Sequence, residues 1–245
     1  MLPIRDVNPT RITPVLTAAL IAANVVVFLL IQPQQGIEAE RFLFRHAAIA
    51  CEITTGEPLE VNEINPPGQC SDGPLGSRIV FPEKNVYLPV GVSMFLHGGF
   101  AHLLFNMLFL WIFGNNVEEA FGRAGYIAVY GTAGAIATLG FVALNQDATI
   151  PLVGASGAIA GVMGAYLVLF PRHLVMTLIF FRIVAIPAMV FLGIWFALQF
   201  ALVGQESGIA WEAHVAGFLF GVLITLPFRS VLLRRVASPS VVPAT

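Results

Sequence analysis

The stretch Gly154-Ala155-Ser156-Gly157-Ala158-Ile159-Ala160-Gly161-Val162-Met163-Gly164-Ala165-Tyr166-Leu167-Val168-Leu169-Phe170 runs for 17 residues without a charge. Gly154, Gly157, Gly161 and Gly164 recur every three or four positions, which on a helix places them along one side. Such a side lets a second helix approach to backbone contact, the packing that serves where lipid removes the hydrophobic drive for helices to associate. The run is near the roughly 20 residues that cross a hydrocarbon layer.

Five more apolar runs surround it: Val15 to Ile31, Val90 to Phe113, Tyr126 to Leu144, Ile183 to Val203 and Ala213 to Phe228. The composition agrees, at 57% hydrophobic and 11% charged side chains, against about 25% charged in soluble proteins. Backbone groups in lipid must bond internally, and no alternating strands of barrel type occur, so the runs predict an all-α bundle of six transmembrane helices. The first run follows Arg5 and Arg11 as a secretory signal core would. It is long for such a core, and Ile31-Gln32-Pro33-Gln34 has no small-residue cleavage pattern, so an uncleaved span is expected. The expected division is a head at 1–14, a membrane domain at 15–228 with an external loop at about 33–89, and a tail at 229–245.

Charge placement sets the orientation. Arg5, Arg11, Arg123, Arg172, Arg182, Arg229, Arg234 and Arg235 fall on one side, and Asp147, Glu206 and Glu212 on the other. The positive-inside tendency then predicts that both termini are cytoplasmic, in a multi-pass protein of the cell membrane. The net charge of −2 excludes a globally basic nucleic-acid binder. The external loop holds 12 of the 26 charged residues, the only lysine (Lys84) and Pro66-Pro67-Gly68, with structure of its own expected near Arg41 to Ala50. It also carries Cys51 and Cys70 on the oxidising side. A disulfide there would order the loop by about 3 kcal/mol, the alternative being two free thiols.

Polar groups inside the runs carry the functional signal, because each is costly in lipid. None of the proposed helix cores holds Asp, Glu, Lys or Arg, which argues against proton-coupled transport and aspartyl chemistry. His102 and Asn106 stand four apart on one helix side and can address one object, or simply bond a neighbouring helix. His97 precedes Gly98-Gly99 at the helix entrance. Ser156 opens its helix among backbone N–H groups that lack intrahelical partners, where it can be a nucleophile beside oxyanion donors or only a helix cap. His214 begins a second glycine-sided helix, with Gly217 and Gly221, at the depth of Ser156. An imidazole is the base a serine hydroxyl needs near neutral pH. Glu212 points away from His214 and no other carboxylate is near, so a Ser–His dyad is expected, with no Ser–Lys chemistry unless Lys84 swings in.

Taken together, His97 to Asn106, Val117-Glu118 with Gly122, Gly154 to Gly157, and Ala213-His214 with Gly217 and Gly221 resemble the rhomboid intramembrane serine proteases, over about Ser93 to Pro227. The resemblance implies a six-helix core that cleaves membrane-anchored proteins by acyl transfer. Ser156 would be the nucleophile and His214 its base. His102, Asn106 and the Ser156 N–H would bind the oxyanion. His97, Glu118, Gly154, Gly157, Gly217 and Gly221 would be structural supports. It implies no cofactor and no metal; its partners would be the bilayer and a protein with a transmembrane segment. Two departures stand out. The Trp-Arg pair often found before the second helix is replaced by Tyr87-Leu88-Pro89, so the loop must be anchored otherwise. The aromatic often found four residues after the serine is Ala160 here, so either another aromatic, such as Trp211 or a second-helix phenylalanine, replaces it or His214 is held less firmly.

Other readings make contrary demands. A non-catalytic binder of membrane clients would not need the intact Ser156–His214 pair. A transporter would need intramembrane charge or an internal repeat. A metal held by His97, His102 and His214 would lack a carboxylate or thiolate, and residues five apart on one helix diverge.

Overall fold

The computed structural model describes residues 1–64, 70–71, 76–201, 203 and 208–237. Pro66-Pro67-Gly68, Asp72, Glu206 and the tail beyond 237 lie outside the described residues. In chain order the elements are β1 (Leu2–Asp6), α1 (Val15–Val26, running on as π-helix through Val27–Ile31), α2 (Gly36–His46), α3 (Ala50–Thr55), α4 (Val61–Ile64), α5 (Pro89–Val92), α6 (Phe100–Leu144), α7 (Ser156–Leu169), β2 (Leu174–Ile179), β3 (Arg182–Pro187), α8 (Ala188–Phe200), α9 (Trp211–Thr225) and α10 (Arg229–Ala237). Phe100–Leu144 and Trp211–Ala237 are long and apolar enough to cross a membrane; Val15–Ile31, Ser156–Leu169 and Ala188–Phe200 are apolar but shorter.

α6 is two helices. At Gly122 the backbone takes φ +72°, a left-handed value that favours glycine, and the chain doubles back. The Tyr126 ring consequently lies against Gly114, although twelve residues of straight helix would separate them by about 18 Å. The helix starts at Phe100 rather than Val90, because Leu96 is extended and the Gly98-Gly99 pair interrupts the run. It also continues past Phe113, so Glu118, expected outside the helix cores, is fully buried inside one. The start of the fifth run is corrected too. Ile183 to Pro187 is strand, since a proline holds the residue before it extended, and α8 begins only at Ala188.

Large apolar side chains lie on the outside as well as in the core, where Phe113, Tyr126 and Tyr166 are buried. Ala133, Ala137, Ala158, Ala160 and Ala165 share the interior, while Leu30, Phe100, Leu144 and Leu223 face outward with more than half their surface exposed. Small interior residues and large outer ones suit helices solvated by lipid.

The sheet was not foreseen. β1 pairs antiparallel with β2, and β2 with β3, so the head of the chain is stitched to the loop after α7. Beside the sheet, Asp6 accepts hydrogen bonds from Tyr166 Oη and Asn116 Nδ2, both 2.8 Å. Arg229 Nε donates to Val168 O at 2.9 Å. The two ends of the described chain thus meet the end of α7 remote from Ser156. Burial pushes the Asp6 carboxyl up from 3.8 to about 6, against the lowering effect of the Tyr166 and Asn116 bonds. An acid with a raised folded pKa contributes fully below its unfolded value and loses that contribution as pH rises through the folded one. The protection of β1 amides, corrected for their intrinsic base-catalysed exchange, should therefore fall between about pH 4 and about pH 6, and Asp6→Asn should flatten the dependence.

The long loop is a small folded unit. Ile49, Cys51 and Leu59 form its core with Phe44, Ile64 and Cys70. Cys51 and Cys70 are joined by a disulfide, with Cα atoms 5.5 Å apart. Its acids turn inward to serve backbone N–H groups: Glu63 accepts from Glu60 N at 2.7 Å, and Glu60 from Ser77 N at 2.8 Å. Lys84 is fixed in place. Its ammonium pairs with Glu52 at 2.5 Å and donates to Phe44 O and Ala47 O at 2.6 and 3.1 Å. Desolvation holds Glu52 above the usual carboxylate range and Lys84 below the usual amine range, each opposed by the charge of the other. A lysine so engaged is no base for a distant serine.

This unit is the alternative anchoring that Tyr87-Leu88-Pro89 required. Cys51 N donates to Ala148 O at 3.0 Å, and Leu152 N to Ala48 O at 2.7 Å, which joins the loop to the segment before α7. Ser93 links both: its Oγ accepts from Ala48 N at 2.6 Å, and its carbonyl accepts from Gly154 N at 3.0 Å. The ordered loop therefore braces the backbone two residues before Ser156.

Candidate active site

Glycine brings the site together. A Cβ placed on Gly217 would collide with the Gly157 carbonyl, and one on Gly221 with the Gly161 carbonyl; on α7, Gly164 is closed by Phe218 O. α7 and α9 therefore touch backbone to backbone, while Ala137 and Ala133 of α6 close over Gly157 and Gly161. That spacing sets Ser156, at the first turn of α7, beside His214, in the first turn of α9. Ser156 Oγ lies 2.8 Å from His214 Nε2. The hydroxyl is not a helix cap: no side chain caps α7.

His214 is held from a helix to which no partner was assigned. Gln199 Oε1 lies 2.8 Å from His214 Nδ1. Four residues earlier on the same side of α8, the Trp195 ring sits 5.9 Å from the imidazole centroid at 38°. The expected aromatic was Trp211 or a second-helix phenylalanine; Trp211 instead packs on Phe200 at 6.1 Å. Gln199 was missed although a signal existed. It is the one amide in the Ile183 to Val203 run, and a polar side chain in such a run needs a reason.

His102 approaches Ser156 from α6 across Gly154, and Asn106 follows it by about one helical turn. Gly98 N donates to His102 Nδ1 at 3.4 Å, which leaves the proton on Nε2. A Cβ on Gly154 would stand 2.9 Å from that Nε2 and 3.5 Å from Ser156 Oγ. Gly154 thus packs closely under the His102 ring beside the hydroxyl, and a Cβ there would press on the imidazole. Asn106 is 6% exposed, and its Nδ2 finds no acceptor among the described residues. A buried donor without a partner is costly unless something arrives to accept from it. The N–H of Ser156, in the first turn of α7, is a third donor free of the helix ladder.

The supporting residues act at one remove. His97 is fully buried with its ring 5.2 Å from that of His102, and Gln32 brackets its backbone, donating to His97 O at 2.6 Å and accepting from His97 N at 3.1 Å. Glu118 lies far from the serine in function: its carboxylate accepts from Leu16 N at 3.0 Å and from Thr17 N and Oγ1 at 2.8 Å. A negative group at a helix N-terminus is stabilising, so Glu118 anchors the start of α1. Cys51, Glu63 and Cys70 form a cluster of metal-ligand types among the described residues, but its two sulfurs are bonded to each other.

Sequence comparison adds an independent observation. A model of the Rhomboid domain matches residues 85–231. The chain is 32% identical to Rhomboid protein 1, mitochondrial, of Saccharomyces cerevisiae over 142 residues, 54% of this chain and 39% of that protein. It is 35% identical to Rhomboid protease GluP of Bacillus subtilis over 128 residues, 51% and 23% of the two chains, and 29% identical to Rhomboid protease AarA of Providencia stuartii over 160 residues, 56% and 54%. The match spans between about a quarter and about half of the length of these relatives. The residues matched by the Rhomboid domain include α6, α7 and α9, with His102, Asn106, Ser156 and His214. The chain belongs to the rhomboid family of integral membrane proteins.

Proposed function

We propose that the protein is an intramembrane serine endopeptidase that cleaves the transmembrane segments of membrane-anchored proteins through a Ser156–His214 dyad. One observation carries this reading: a serine hydroxyl and an imidazole from two glycine-packed helices meet at 2.8 Å in a charge-poor interior. His214 Nε2 takes the Ser156 proton as Oγ attacks the scissile carbonyl. The oxyanion is received by the Ser156 N–H, His102 Nε2–H and Asn106 Nδ2–H. The imidazolium returns its proton to the leaving amine, giving an acyl-enzyme; His214 then deprotonates the water that hydrolyses it.

In this reading both halves of α6 are counted as spans, giving six, with the termini on the cytoplasmic side and the loop and Ser156 toward the outside. The arginine distribution supports that orientation, and the disulfide fits an oxidising exterior. The cell membrane is the proposed location, although the yeast relative is mitochondrial by name. Substrates would present small or helix-breaking residues near the outer surface, because a helical backbone shields its carbonyls.

The test is cleavage of a single-pass reporter by the purified protein in liposomes, with the new termini mapped. A cut near the outer surface supports the proposal. An inert reporter series, together with a serine that resists acylation, would leave a binder of membrane clients instead. Within the active enzyme, Asn106→Ala should lower kcat by about 10²- to 10³-fold, the usual cost of one oxyanion donor, with a smaller effect on KM.

A further inference from the structure

We propose that Gln199 is a positioning residue that extends the dyad into a hydrogen-bonded Ser156–His214–Gln199 chain, an inference that rests on the protease reading above. The amide orientation follows from its two neighbours. Trp195 O accepts from Gln199 Nε2 at 3.0 Å, so Oε1 must face His214 Nδ1, at 2.8 Å. A carbonyl oxygen can only accept. The Nδ1 it faces must therefore carry a hydrogen, and the Nε2 lone pair is left for the Ser156 proton.

Two features make the bond more than a packing contact. Gln199 is 6% exposed, so water does not compete for it. Trp195, one turn earlier, lies against the imidazole, and a single side of α8 fixes both its plane and its tautomer. Among the described residues, the groups facing His214 are Ser156 from α7 and Gln199 with Trp195 from α8, with His102 of α6 near enough to act on it electrostatically; the acid on its own helix, Glu212, is two residues away and points elsewhere. The amide oxygen is thus the group placed to accept from Nδ1–H both before attack and in the imidazolium that follows. In the attack itself the Oγ–H bond breaks, Nε2–H forms, and Oγ bonds the substrate carbon; Gln199 exchanges no proton. A hydrogen bond that strengthens as its donor becomes charged lowers the barrier selectively.

The experiment compares Gln199→Met, which keeps length and loses the acceptor, with Gln199→Glu, which restores an acceptor. Reporter cleavage and the rate of Ser156 acylation by a fluorophosphonate are measured on both, and thermal unfolding in detergent registers folding. Gln199→Met should lose about 10- to 100-fold in kcat and a similar factor in acylation rate, with KM within about twofold. Gln199→Glu should recover most of the loss. Wild-type kcat and acylation in Gln199→Met would overturn the inference, as would failure of a folded Gln199→Glu to recover any of it. The protease reading fails separately, if Ser156→Ala cleaves like the parent.

Discussion

A Ser156→Ala variant should fold like its parent and lose cleavage of a single-pass reporter by about ten-thousandfold or more, the scale seen when a catalytic serine is removed. The stability half of this expectation is specific to the chain. An N-capping serine replaced by alanine costs about 1 kcal/mol, but Ser156 gives its hydroxyl to His214 and no side chain caps α7. The melting midpoint should therefore stay within about 2 °C of the parent. His214→Ala should show a loss of the same order, and the double variant should be little worse than either single one, because the two residues work as a unit. A double variant far slower than both would mean that they act independently.

Gly217→Ala should damage packing and catalysis together, because it stands opposite the residue that follows Ser156. Its Cβ would collide with the carbonyl of Gly157, a backbone atom that cannot rotate away. Overpacking of this kind costs about 1–3 kcal/mol and sometimes more. It also drives α9 from α7, the separation that sets the 2.8 Å contact. A displacement of about 1 Å at a reacting centre can cost 10²-fold in rate, so activity should fall further than stability alone would dictate. The control is Gly131→Ala in α6, where an added Cβ meets no atom. There a helical glycine is replaced at no steric cost, and stability should be unchanged or higher by about 0.5–1 kcal/mol. Thermal unfolding and reporter cleavage on both variants separate the two cases.

What was legible in the sequence follows from the kind of signal each feature leaves. The glycine spacings on either side of Ser156 and His214 are local patterns, and helix geometry converts them directly into close packing. The sheet left no such trace: Leu2 to Asp6 pairs with Val175 to Leu178 across most of the chain, and its strands are too short to stand out. Ile183 to Pro187 was merged with the helix after it because both are apolar, and only the proline marks the boundary. Glu118 escaped notice as an intrahelical acid because α6 continues beyond its apolar part to Gly122. Trp195 and Gln199 sit on a run otherwise uniform in hydropathy, and their use depends on where α8 lies against α9. Spacing within one helix could not supply that.

The most direct measurement is acylation of the purified, folded protein by a fluorophosphonate, with the modified residue mapped by mass spectrometry. The account predicts a single adduct on Ser156, lost in His214→Ala. An adduct on a different serine, or none while the protein remains folded, would contradict it.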